Sequence, residues 1–166
     1  QVTEQEKAWL AGIIDGEGCI SCAINQKSAT DLPAKHVHLK LMVQVANTNS
    51  AIVLEAKRLF EAIANKKCNV NVSNSAAQRN RGNKVSYCIW VSSHIACHKL
   101  LSAVRPYLIG KKDQAELMLK MRATFTKTGV QKGKQGIQPV TQAIADERLS
   151  YFKQLQKLHT RNRTNK

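Results

Sequence analysis

The sequence predicts an α+β fold in the order α-β-β-α-β-β-α. It places a four-stranded antiparallel sheet under helices that all lie on one face, with additional helices toward the C-terminus. Three observations predict it. Two helix–hairpin units follow one another and read as a degenerate internal duplication. Their strand segments alternate between apolar and polar residues, whereas their helical segments repeat apolar residues every three or four positions. The 166 residues are 43% hydrophobic, enough for one domain with its own core and too apolar for wholesale disorder.

The first helix begins at Thr3-Glu4-Gln5-Glu6, a capping box in which the Thr3 hydroxyl and the Glu6 carboxylate each satisfy a free backbone amide. Trp9, Leu10, Ile13 and Ile14 form its apolar stripe, and the glycines at 16 and 18 end it. From Cys19 to Lys27 the period changes to two, with Ile20, Cys22 and Ile24 on one face and Ser21, Ala23, Asn25 and Lys27 on the other. Residues 28–36 read as a loop. Val37, Leu39, Leu41, Val43 and Val45 then alternate with His38, Lys40, Met42 and Gln44, the cleanest strand signal in the chain. Asn49 or Ser50 caps a second helix to about residue 64, with Ile52, Val53, Ala56, Leu59, Phe60 and Ile63 inward.

A second hairpin follows. Cys68, Val70 and Val72 alternate with Lys67, Asn69, Asn71 and Ser73, and a polar turn over 78–84 leads to Val85, Tyr87, Ile89 and Val91 alternating with Ser86, Cys88 and Trp90. A helix over about 93–105 stops at Pro106, and another covers about 112–126. After the Gly- and Lys-rich "KTGVQKGKQGIQ", a final helix runs from Pro139 to about 158, ahead of the basic tail "KLHTRNRTNK". The expected division is a core over 1–128, with a basic linker and a C-terminal helix over 129–166 that packs on or extends it.

Twenty-six Lys and Arg oppose eleven Asp and Glu, for a net charge of +15. That imbalance favours a polyanionic partner, nucleic acid above all. No apolar run approaches a membrane span and no signal-peptide pattern opens the chain, so no membrane partner and an intracellular location are expected. Five cysteines are odd in number and scattered, which reads as mostly reduced core thiols rather than a disulfide framework. The nearest metal pattern, Cys19-x-x-Cys22 with His94-x-x-Cys97-His98, has its first two thiols on opposite faces of a strand. The outward residues of the four strands are polar and basic, as a nucleic-acid-binding sheet requires.

One stretch conflicts with simple helix chemistry. "LAGIIDGEG" (residues 10–18) holds three glycines, each costing up to about 1 kcal/mol in a helix interior, and two carboxylates, Asp15 and Glu17. Ala8, Gly12 and Gly16 are spaced by four and leave one stripe of bare backbone. The stripe suits close packing, either on this chain's own sheet or on the same helix of a second copy. In the second case it implies a two-fold dimer with acids from both copies near the axis, where a divalent cation would relieve their repulsion.

The stretch resembles the signature of the LAGLIDADG homing endonucleases, departing from it at Ile13, Gly16 and Glu17. The resemblance spans roughly residues 5–126, and a single motif copy matches the homodimeric branch, which cuts near-palindromic DNA. It implies Glu17 as metal ligand and catalytic acid, with the Gly16 carbonyl as a second ligand. Mg²⁺ is the implied cofactor, with Mn²⁺ or Ca²⁺ able to substitute for binding. Asp15 is expected to cap and orient the turn. The family's polar residue near the attacking water falls on Asn47 in "QVANT", and its lysine on Lys111 in "YLIGKKDQA", with Lys112 next; Ala51 stands where some relatives carry an arginine. Ala8, Gly12 and Gly16 form the implied dimer interface.

The resulting expectation is an intron-encoded, site-specific double-strand DNA endonuclease. It hydrolyses one phosphodiester per strand, leaves 3′ overhangs, and belongs to an organelle or a prokaryotic cytoplasm. The alternatives are an RNA maturase of the same fold acting on intron RNA, and a DNA-binding regulator that does not cleave. The DNA-facing residues are expected to be Ser21, Asn25, His38, Lys40, Gln44, Asn69, Asn71, Ser73, Ser86, Cys88 and Trp90, with Arg79 and Arg81 at the turn, and the Asn, Gln and Arg residues among them are expected to carry base readout. Lys27 and Lys84 are expected on phosphates.

Overall fold

The computed structural model describes residues 1–25, 38–73, 84–126 and 141–164. In chain order the elements are α1 (Glu4–Glu17), β1 (Gly18–Asn25), β2 (His38–Asn47), α2 (Ser50–Ala64), β3 (Asn71–Ser73), β4 (Ser86–Val91), α3 (His94–Val104), a 3₁₀ turn (Arg105–Tyr107), α4 (Lys112–Thr126) and α5 (Gln142–Thr164). The four strands form one antiparallel sheet in the order β1-β2-β4-β3. Its register runs from Gly18↔Val45 to Asn25↔His38 and from Val43↔Val91 to Asn47↔Tyr87.

The predicted alternation decides which face is buried. Ile20, Leu41, Val43, Val45 and Ile89 are at most 1% exposed. They pack under Leu10, Ala11 and Ile14 of α1, Val53, Leu59 and Phe60 of α2, and Leu100, Leu101 and Val104 of α3 in one hydrophobic cluster. Each such side chain contributes about 1.5–3 kcal/mol when taken out of water. On the other face Lys40 is exposed and Met42, Gln44 and Ala46 are partly so. α1, α2 and α3 carry side-chain N-caps. Thr3 and Glu6 form both halves of the capping box, the Asn49 side chain accepts from the Ala51 amide at 3.0 Å, and Ser93 caps α3.

Four local expectations are corrected. Gly16 lies inside α1, which runs to Glu17, and Gly18 ends it in an extended conformation (φ −88°), not a left-handed one. Gly18 is required by space: a Cβ there would sit 2.7 Å from the Ile14 Cα and carbonyl oxygen and 3.1 Å from the Gln44 carbonyl oxygen. Trp9 is 38% exposed rather than inward. Asn69 precedes β3, whose described residues begin at Asn71; the Glu61 carboxylate on α2 accepts the Cys68 amide at 2.7 Å and ties the approaching chain to the helix. The last helix starts at Gln142, with the Thr141 hydroxyl accepting from Ile144, and continues to Thr164 through most of the basic tail.

α5 packs against α4 and reaches β1. Arg148 is buried, donates from Nε to the Thr124 hydroxyl at 2.9 Å and lies 4.7 Å above the Phe125 ring. That ring stacks on His94 of α3 with centroids 5.1 Å apart. His159 Nε2 lies 2.8 Å from the Ile20 carbonyl oxygen, on β1 at the edge of the sheet. Such cover protects an edge strand from pairing with another chain.

Candidate acid site and nucleic-acid interface

The C-terminal end of α1 is where distant parts of the chain converge. The Asp15 carboxylate accepts the amides of Ile109 at 2.7 Å and Lys111 at 2.8 Å. Both oxygens are thus engaged in pinning the turn ahead of α4, the orienting role expected of Asp15. In return, the Lys111 ammonium donates to the Asp15 carbonyl oxygen. A cation at that end of a helix is favoured by the unpaired carbonyls and the helix dipole, and α1 has no basic residue of its own in its last turn. Lys111 is partly buried, whereas its neighbour Lys112 is exposed. The geometry therefore selects Lys111 as the lysine brought to the motif.

Two residues on from Asp15, Glu17 is exposed. Asp15 spends both its oxygens within the chain. Glu17 makes no hydrogen bond or ion pair among the described residues, which leaves its carboxylate available to a ligand from outside. Glu17 and the Gly16 carbonyl are hard oxygen donors of the kind Mg²⁺ takes. Among the described residues of one chain, no group of three or more His, Cys, Asp or Glu side chains could hold a metal ion.

Asn47 ends β2, as expected, but its side-chain oxygen accepts the Asn49 amide at 2.8 Å. Asn49 in turn caps α2 through Ala51. Two successive Asx turns carry the chain from strand to helix, so Asn47 has a structural use that its residue type alone explains.

The glycine stripe is open. Ala8, Gly12 and Gly16 are exposed, and a Cβ built on Gly12 or Gly16 meets nothing within 4 Å among the described residues. Close packing on the chain's own sheet is therefore not the reason for these glycines. Exposed Trp9 and half-buried Ile13 flank the stripe.

The open face of the sheet is organised in cross-strand rows. Ala46 is beside Cys88, which is beside Asn71; Cys19, Gln44 and Trp90 make the next row; Ser21 pairs with Met42; and Ala23 pairs with Lys40. Ser73 pairs with Ser86 at the far edge, and Lys84 is exposed just before β4. Eight of the expected contact residues, Ser21, Lys40, Gln44, Asn71, Ser73, Ser86, Cys88 and Trp90, thus share one surface. Asn69 lies outside the strands, and only the backbone of Asn25 and His38 is described. Lys27, Arg79 and Arg81 lie outside the described residues. Met42 and Ala46 were overlooked because polarity was the criterion; their parity with Lys40 and Gln44 is the signal that finds them.

The thiols are divided by face. Cys97 is buried and donates to the Val91 carbonyl, and burial pushes it and Cys22 up to about 12. Cys19 is exposed on the opposite face from Cys22, so the cysteine–histidine pattern does not converge.

No family model matches the sequence, and no curated protein matches it. Solved structures do. The chain is similar to the homing endonuclease I-CvuI in complex with its target in the presence of Ca, at 18% identity over 93% of this chain and 82% of that one, with a TM-score of 0.66. The archaeal intron-encoded homing endonuclease I-Vdi141I complexed with DNA matches at 16% identity over 93% and 84%, TM-score 0.65. The LAGLIDADG homing endonuclease I-GzeII in complex with its DNA target matches at 16% identity over 88% and 43%, TM-score 0.60. The architecture is that of the LAGLIDADG homing endonucleases.

Proposed function

We propose that this chain, built on the LAGLIDADG homing endonuclease fold, is a homodimeric, Mg²⁺-dependent endonuclease that cuts both strands of a long near-palindromic DNA site and leaves 3′ overhangs. One observation carries the reading. An acid without a partner among the described residues, Glu17, stands at the end of a helix whose glycine face is open and whose Asp15 carbonyl holds a lysine from 96 residues away. A non-cleaving binder has no use for that arrangement.

The open stripe admits a second copy of α1, and two-fold pairing brings two Glu17 carboxylates and two Gly16 carbonyls to one axis. They would hold the divalent ion, which on binding activates water and stabilises the departing 3′ oxygen. Lys111, held against the Asp15 carbonyl, places a positive charge beside the phosphate as negative charge builds on it. Asp15 keeps that lysine and its turn in place. Asn47 orients solvent at the end of β2, with its oxygen shared with Asn49.

Incubation of the protein and Mg²⁺ with a plasmid library of candidate intron insertion sites tests the proposal. Linearised plasmid with 3′ extensions at one sequence is the expected outcome. Binding without cleavage under every divalent cation would leave the regulator reading. Retention of intron RNA with accelerated splicing and no DNA cleavage would leave the maturase.

A further inference from the structure

The rows of the open face nearest Glu17 carry no charge. They hold Ala46 with Cys88, then Cys19, Gln44 and Trp90, then Ser21 with Met42. In β1 and β2 the first outward-facing cation with a described side chain is Lys40, one row further on, beside Ala23. In a chain of net charge +15, this neutral zone adjoins the acid site. Met42 and Ala46 flank Gln44 on the same strand and, like Gln44, are only partly exposed.

Resting on the endonuclease reading, we propose that Met42 and Ala46 read the 5-methyl groups of thymines in the major groove, on either side of an adenine read by Gln44. The chemistry of the groove supports this assignment. Guanine, cytosine and adenine are marked there by hydrogen-bond donors and acceptors, whereas thymine alone adds a methyl group. An apolar side chain set against the other edges would strip water from polar atoms without replacing it, which is unfavourable. Against thymine it gains contact instead. Same-face residues on a strand lie about 6.6 Å apart, close to two base-pair rises of about 3.4 Å each, so the three side chains address different base pairs. Gln44 has the two-sided amide that pairs with adenine, and Cys19 and Trp90 flank it in register. This readout belongs to DNA, since uracil lacks the methyl group and the major groove of an RNA helix is too deep and narrow for side chains.

The test takes the full-length protein with Ca²⁺ and selects bound duplexes from a randomised DNA pool. Deoxyuridine then replaces thymine one position at a time in the selected site. The expected result is a loss of affinity of about three- to fivefold, the scale of one buried methyl group, at two positions in each half-site. Met42→Ala should abolish the loss at one of them while binding the uracil-containing duplex as well as the wild-type protein does, and Ala46→Ser should act at the other. A selected site at which deoxyuridine has no effect, or at which Met42→Ala leaves every effect unchanged, overturns the thymine readout and leaves the endonuclease reading standing. A pool that yields no preferred sequence overturns both.

Discussion

Replacing Gly12 separates the stability of the chain from the stability of its pairing. A methyl group at Gly12 meets nothing within 4 Å, so Gly12→Ala adds helix propensity without a clash. The gain is about 0.8–1.0 kcal/mol, which for a chain of 166 residues raises the melting temperature by roughly 2–4 °C. Pairing through the bare stripe responds in the opposite sense. Side chains between two helices hold their axes about 8–10 Å apart, and Gly12→Leu imposes that separation where the glycines permit a closer approach. In the proposed dimer the two Glu17 carboxylates would then move apart and would no longer share a metal ion. Sedimentation velocity across micromolar concentrations, melting at high dilution, and a plasmid assay for nicking and double-strand cleavage together read the outcome. The expectation is that Gly12→Leu is a folded monomer without double-strand cleavage and that Gly12→Ala melts higher than wild type at high dilution, where association contributes least. A Gly12→Leu protein that remains dimeric and cuts both strands would refute the pairing argument. So would a Gly12→Ala monomer that melts below wild type, because the stripe would then be packed within its own chain.

Glu17→Gln should abolish cleavage and leave site binding largely intact in a gel-shift assay, because it removes a charged oxygen ligand at nearly constant volume. Asp15→Ala should cost about 2 kcal/mol in a denaturant titration, since the Ile109 and Lys111 amides lose a charged acceptor; it should also slow cleavage more than it weakens binding, because Lys111 loses its seat. Lys84→Ala should weaken all sequences alike and lower the slope of log affinity against log salt by about 1, whereas Gln44→Ala should relax one position per half-site; equal salt slopes for wild type and Lys84→Ala would argue against a phosphate contact. The Thr3 amide, then Arg58, hold the Glu6 carboxyl down from the ordinary 4.5 to about 2. Its contribution to stability is therefore complete above about pH 4.5 and is lost as pH falls toward 2, and Glu6→Gln should flatten that part of the acid-melting profile.

The sequence by itself determined the elements and their faces. Hydrogen bonding and side-chain direction repeat over a few residues, so Leu39 through Val45 announce a strand with one dry face, and Thr3-x-x-Glu6 announces a helix start, without reference to the rest of the chain. The charge pattern likewise announced an anionic partner for the other face. Tertiary structure decided whatever depends on residues far apart in the chain. It distinguished Lys111 from Lys112, because only packing of the turn ahead of α4 against α1 brings one ammonium to the Asp15 carbonyl across 96 residues. It also separated three glycines that look alike in sequence. Gly18 is pressed against Ile14 and the neighbouring strand at Gln44, and Gly12 and Gly16 face outward with nothing upon them. Residue type is a local property and available space is not, so the motif could be recognised from its letters while the reason for each glycine depended on what the folded chain places beside it.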